Sequence, residues 1–177
     1  VGLYVWIFRG TPMMVQALII YHGLRPVLNW SPVTAGITII SINTGAYMAE
    51  IIRAGIQSID KGQNEAARSL GMTSTQTMMS IILPQAIRNS FPSIGNEFIV
   101  NIKDSSMLNV IGVIELYFQS SSVAGSLMLY VPTFIVAAIL YLLLTTLATQ
   151  LLSFVEGRMN MPRSSGPSSQ SVPVERV

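Results

Sequence analysis

Glu65-Ala66-Ala67-Arg68-Ser69-Leu70-Gly71, followed after a short gap by Ile81-Ile82-Leu83-Pro84, is a polar, helix-forming insert with a built-in turn. Long apolar runs lie on both sides of it. A plain connector between two membrane spans need not be so structured, so the insert reads as a docking surface. Asp60 as N-cap with Gln63 three residues on is a loose capping box, and Glu65 and Arg68 are spaced to pair across one turn. Gly71 falls where a left-handed C-cap is usual. Ser74 or Thr75 is expected to cap a second helix that runs to about Leu83, where Pro84 removes a backbone donor and kinks or ends it. The shape expected is a knob, with Glu65 and Arg68 on its surface and Ala66 and Ala67 allowing close approach.

Composition places the knob beside a membrane. Half of the 177 residues are hydrophobic and 10% are charged, against roughly 25% charged in an ordinary soluble domain. The mean hydropathy is +0.54. A net charge of +2 is too small to imply a nucleic-acid partner. The chain has no cysteine, which excludes disulfides and thiolate metal sites, and the single His22 excludes a multi-histidine site. A helix-turn-helix would share the outline of the insert. Its second helix, Thr77-Met78-Met79-Ser80-Ile81-Ile82, lacks the side chains that contact phosphates and bases.

A membrane-spanning helix needs about 20 mostly apolar residues. Four segments are expected to span: 13–28, 33–52, 91–118 (interrupted by Glu97, Lys103, Asp104 and Glu115) and 127–155. Lysine and arginine are enriched on the cytoplasmic side. Placing Arg9, Arg53, Lys61, Arg68, Arg88, Arg158 and Arg163 on that side leaves only Arg25 on the other. The insert (60–90) and the C-terminus are then cytoplasmic, and the hairpin around 119–126 faces outward. Residues 1–160 read as one membrane domain. The serine- and proline-rich 161–177 reads as a disordered tail, because it has too little apolar surface to offset its ordering entropy. The chain opens at Val1 inside apolar sequence, and reads as lacking an N-terminal part.

The pattern of Glu65, Ala66, Ala67, Gly71, Ile81, Leu83 and Pro84 resembles the cytoplasmic signature of ABC importer membrane subunits. Three further blocks resemble the polar amino acid branch of that family (glutamine, histidine and arginine types). They are Phe8-Arg9-Gly10-Thr11-Pro12 with Val15-Gln16, then Asn43-Thr44-Gly45-Ala46-Tyr47, then Lys103-Asp104-Ser105 with Ile111-Gly112-Val113-Ile114-Glu115-Leu116. The resemblance covers Val1 to about Met159. It implies an all-α polytopic helix bundle of the type I ABC importer kind in the cell membrane, with cytoplasmic coupling helices. One of the family's usual five spans, the N-terminal one, reads as missing from the sequence. The resemblance also implies a dimeric channel with a second permease subunit, a cytoplasmic ATPase dimer, and an extracytoplasmic substrate-binding protein or fused domain. The loop Glu65–Pro84, Arg68 included, would seat in a groove on the ATPase. No G-x-x-x-x-G-K-[ST] occurs in the chain, so ATP and Mg would be bound by the partner and no cofactor by this subunit.

A charge near the bilayer centre costs about 2.5–3.5 kcal/mol on insertion scales, so such groups face a cavity or a partner. Asn43, Tyr47 and Glu50 share one helical face, with Thr44 beside them. The substrate path is therefore expected at Asn43, Thr44, Tyr47 and Glu115, with Glu115 or Glu50 receiving an α-ammonium. The competing reading for Asn43 and Thr44 is helix–helix packing. Lys103 and Asp104 are expected to pair at a helix break. Met78 and Met79 either pack internally or meet the ATPase. The function expected is import of polar amino acids, glutamine first; the alternative is an ATP-independent membrane channel.

Overall fold

The computed structural model describes residues 2–158; the expected tail at 161–177 lies outside them. The described residues are helical, without strands: α1 Gly2–Gly10, α2 Met13–Leu28, α3 Pro32–Gln57, α4 Lys61–Ser69, α5 Ser74–Thr77, a π-turn at Met78–Ile82, α6 Leu83–Asp104, a 3-10 segment at Ser105–Ile111, α7 Leu116–Leu127 and α8 Tyr130–Arg158. Among these, α3 and α8 are each long and apolar enough to cross a membrane. The pair α1 and α2 would add a third span if taken as one, but it is bent by 108°.

That bend has a local cause. Proline at position 12 cannot donate, and it disfavours helical backbone at Thr11. The last carbonyls of α1 therefore lose their helical partners. Gln16 Nε2 reaches the Phe8 carbonyl at 2.9 Å, the Thr11 carbonyl at 2.9 Å and Thr11 Oγ1 at 2.8 Å. Asn43, from the middle of α3, donates to Gln16 Oε1 at 2.9 Å and to the Phe8 carbonyl at 3.3 Å. Both amides are buried. Orphaned backbone groups in an apolar medium must be satisfied internally, and these two side chains do so while binding α1, α2 and α3 together.

The rest of the bundle is built on small residues. Ser31 caps α3 by accepting the Thr34 N–H at 3.1 Å, with Pro32 at the first turn. Farther along, Gly55 lies against α6. A Cβ there would overlap Ser90 Oγ and sit 2.9 Å from the Ala86 carbonyl oxygen. Ser90 Oγ donates back to the Ile51 carbonyl at 3.3 Å. Nearer the α3 start, Gly36 lies under Leu108 and Val113 of the segment after α6. A core of Met13, Ala17, Tyr21, Ala35, Ile39, Leu108 and Ile111 joins α2, α3 and that segment. α7 turns back through Met128 in the left-handed region and packs on α8. α8 itself is apolar all round and buries only Ala137.

Several elements differ from the sequence reading. The 91–118 stretch is not one helix: α6 stops at Asp104, the backbone tightens into 3-10 turns, and Gly112 at φ +84° ends them. Of its charged interruptions, Lys103 and Asp104 sit at that change of geometry, Glu97 lies within α6 and Glu115 caps α7. No Lys103–Asp104 ion pair forms; the ion pairs among the described residues all involve Glu50. The hairpin at 119–126 is itself helical, as α7. Pro84 does not end the helix, which runs on to Asp104. The preceding π-turn, in which the Leu83 N–H donates to the Met78 carbonyl, leaves Pro84 in the first turn of α6, where a missing donor costs least.

Gly55→Val should cost about 1–3 kcal/mol through overpacking, seen as a lower midpoint of thermal unfolding in detergent, whereas Gly23→Ala, which meets nothing within 4 Å, should leave the midpoint in place. Gln16→Leu and Asn43→Leu should each cost about 1–3 kcal/mol, because each leaves buried polar groups unpaired. The double variant should lose clearly less than the sum, since both act in one network; additive losses would mean that the amides act separately.

Candidate functional site

The expected knob forms, with different details. Asp60 caps α4 by accepting the Gly62 N–H at 2.7 Å. The reciprocal capping box occurs one helix later: Thr73, not Ser74 or Thr75, caps α5, and Gln76 returns its side-chain oxygen to the Thr73 N–H at 2.9 Å. Between them Gly71 takes φ +80°. Its N–H bonds the Arg68 carbonyl at 2.9 Å, and the Met72 N–H bonds the Ala67 carbonyl at 3.1 Å, the paired bonds of a Schellman stop.

One face of α4 is turned inward. Ala67 is 2% exposed and Thr77 1%, so Ala67 is spent on holding α4 to α5 rather than offered to a partner. Glu65, Ala66, Arg68 and Gly71 are exposed, Ile81 and Leu83 are half-buried, and Pro84 is exposed. Arg68 does not pair with Glu65; its guanidinium donates to Ser74 Oγ at 2.7 Å, which ties the two short helices across the turn. Leu70 at 82% exposure and Met79 at 60% stand out beside this polar surface. The module can present a rigid, mixed apolar and charged face at the end of α3 and the start of α6.

The residues expected to line a substrate path are not gathered at one point. Asn43 is buried in the amide network already described. Thr44 Oγ1 donates to Asn101 Oδ1 at 3.0 Å, across the α3–α6 contact. Glu115 caps α7: its two oxygens accept the Phe118 N–H at 2.6 Å and the Tyr117 N–H at 2.7 Å. The Tyr141 hydroxyl of α8 donates to the same carboxylate at 2.9 Å. Two backbone donors and a phenol thus occupy the group expected to receive an ammonium.

Two of the four border open grooves: Glu115 one of about 370 Å³ with Asn101 and Tyr141, and Tyr47 a larger one. The larger groove, about 820 Å³, lies between α1 and α3 and is lined by Trp6, Arg9, Tyr47, Glu50 and Arg53 with small residues between. Arg53 grips Glu50 through Nε at 3.1 Å and through Nη2, and donates from Nη1 to Gln57 at 2.8 Å. Arg9 lies 3.7 Å from the same carboxylate, with its guanidinium 5.5 Å from the Tyr47 ring centroid. Two cations therefore share one anion, and Glu50 is not free for an ammonium. Arg9 and Gln16 belong to a family block in the sequence, which by itself gives neither a role. The signal was present: a glutamine inside an apolar run, and an arginine and a proline at its edge, need partners that only another segment can supply.

Comparison with known proteins places this arrangement. Residues 1–161 match the model of a family described as binding-protein-dependent transport system inner membrane component. The glutamine transport system permease protein GlnP of Escherichia coli strain K12 is 37% identical over 162 residues, covering 90% of this chain and 74% of that one. The arginine transport system permease protein ArtQ of Bacillus subtilis strain 168 is 37% identical over 158 residues, covering 88% and 72%. A chain from the crystal structure of an amino acid ABC transporter with histidines superposes with a TM-score of 0.82 at 46% identity, covering 89% of this chain and 74% of that one. The match across nearly all of the described helices shows that the chain belongs to the binding-protein-dependent transport system inner membrane components, the permease subunits of ABC importers.

Proposed function

We propose that the chain forms half of the translocation channel of an ATP-driven importer for polar amino acids, glutamine being the first choice. The observation that carries this reading is the knob at Lys61–Thr77. It is capped at both helix starts, closed by a Schellman stop and braced by Arg68 on Ser74. A flexible connector would need none of this. A rigid body between two long helices can transmit a push, whereas a soft one would absorb it. The names of the relatives GlnP and ArtQ support an amino acid as cargo.

In this reading the knob sits on a cytoplasmic ATPase dimer, which binds ATP and Mg, and the chain carries no hydrolytic chemistry of its own. Glu65 and Arg68 make the polar contacts, Leu70 and Met79 the apolar ones, and Gly71 keeps the turn. ATP binding draws two such knobs together and turns the helices outward, toward a substrate-loaded binding protein or domain. A second permease subunit, identical or not, completes the channel. The orientation follows the arginine and lysine distribution, with the knob and the C-terminus in the cytoplasm. The ends of α3 and α8 then mark the two membrane faces, and α1 with α2 forms a broken span.

Glu65→Lys and Gly71→Asp should abolish ATP-driven uptake of glutamine into vesicles while the protein still inserts and purifies. Gly71→Asp forces a side chain into the left-handed region, at a strain of order 1 kcal/mol or more, and Glu65→Lys inverts a contact charge. Replacement of residues 65–71 by a glycine–serine linker should also remove the ATPase from pull-downs. Full uptake by either point variant, or ATPase retention after the replacement, would remove the knob from the coupling role.

A further inference from the structure

We propose that Asn89 of α6 and Ser58 at the end of α3 form a clasp that carries the movement of the knob into α3. This rests on the importer reading above and names positioning residues through which the knob acts on the bundle.

The knob has two roots, and they are built differently. Toward α6 the chain stays helical without a break: α5, the π-turn and α6 follow one another from Ser74 to Asp104. Toward α3 it does not. α3 ends at Gln57 and α4 starts at Lys61, so Ser58, Ile59 and Asp60 form a non-helical joint. A push on the knob reaches α6 through a continuous rod. It reaches α3 only through a joint whose φ and ψ angles, the soft coordinates of a chain, can absorb it. Transmission to α3 needs a second route.

Two side chains supply that route. Ser58 caps α3: its N–H bonds the Ala54 carbonyl at 2.9 Å, and its hydroxyl donates to the Gly55 carbonyl at 2.7 Å. Asn89 Nδ2 then donates to Ser58 Oγ at 3.2 Å, from a helix 31 positions away in sequence. The direction of this bond is fixed. Ser58 has one hydroxyl proton, spent on Gly55, so toward Asn89 it can only accept.

Packing does not replace the bond. Gly55, Ala86 and Ser90 hold the two helices in close contact. Beside them a cleft of about 320 Å³ opens between α3 and α6, with Ala54, Ser58, Asn89 and Ser93 on its walls. The clasp ties those walls together where the joint begins. Ser58 and Asn89 are both exposed, so their bond adds little to the stability of the fold. What it fixes is the place of the joint relative to α6. With the clasp closed, both roots of the knob move as one body; with it open, α6 moves and the joint yields.

The test reconstitutes the full-length subunit in liposomes with its second permease subunit, its ATPase and its binding protein. ATP-driven uptake of L-glutamine, L-histidine and L-arginine is measured together with ATP hydrolysis. Asn89→Asp keeps the side-chain shape and removes the donor; Ser58→Ala removes the acceptor. Each should lower uptake per ATP hydrolysed by about 2- to 10-fold, the factor that one hydrogen bond is worth. Hydrolysis, retention of the ATPase in pull-downs and the thermal midpoint should stay at the wild-type level. The double variant should lose no more than the worse single one, because the same bond is removed. Ser93→Asp, which puts the same charge in the cleft without touching the clasp, should behave as wild type. An unchanged uptake-to-hydrolysis ratio in Asn89→Asp and Ser58→Ala would overturn the clasp and leave the importer reading intact. Loss of the ATPase or a lower thermal midpoint in step with the lost uptake would overturn it as well, by showing a role in folding alone. So would a loss in Ser93→Asp equal to that in Asn89→Asp. Absence of ATP-driven uptake of all three amino acids by the wild type would overturn the importer reading, and the clasp with it.

Discussion

The Phe8 carbonyl is the point on which the architecture turns. A helix that stops within a packed, apolar bundle leaves acceptors that must be satisfied internally. Here one such acceptor is met by two amides from two other helices, Gln16 on α2 and Asn43 on α3. Without them the chain at Thr11 and Pro12 would have to stay helical or lie at the surface. With them it can change direction by 108° in two residues, beside a groove between α1 and α3.

Much of this was legible in the sequence, though unevenly. α8 and α3 were visible because long apolar runs have few alternative structures, and the knob because its stop signal, Gly71, is a backbone requirement that needs no tertiary partner. The parts that stayed hidden depend on long-range partners. α6 carries Arg88, Glu97, Lys103 and Asp104 and does not read as a continuous apolar run, yet it packs on α3 through Gly55, Ala86 and Ser90, where small size matters and hydropathy does not. The 3-10 segment after it has no sequence signature beyond Gly112.

The charged residues were the hardest to read. Glu115 in an apolar stretch suggested a ligand for an ammonium, but it stands directly before a helix and is used there by two amide donors and Tyr141. Glu50 was read with Asn43 and Tyr47 by helical periodicity, which was sound; its partners, Arg53 and Arg9, came from the next turn and from another helix. Periodicity tells which residues share a face, and only the fold tells which of them are already engaged. In this chain Glu50 and Glu115 were both engaged by groups of the chain itself.

The π-turn before Pro84 has a consequence beyond tolerating the proline. A wider turn winds through less angle per residue, so it sets the rotational phase between the helix on its N-terminal side and the helix on its C-terminal side. Thr77, which holds the knob, and Ala86, which packs on α3, are fixed on either side of that turn. The extra residue shifts one relative to the other by about a quarter of a revolution compared with an unbroken α-helix. Met78–Ile82 thus acts as an indexing element on the shaft that joins knob to bundle. Its length in residues, more than their identity, decides which way the knob points relative to the bundle.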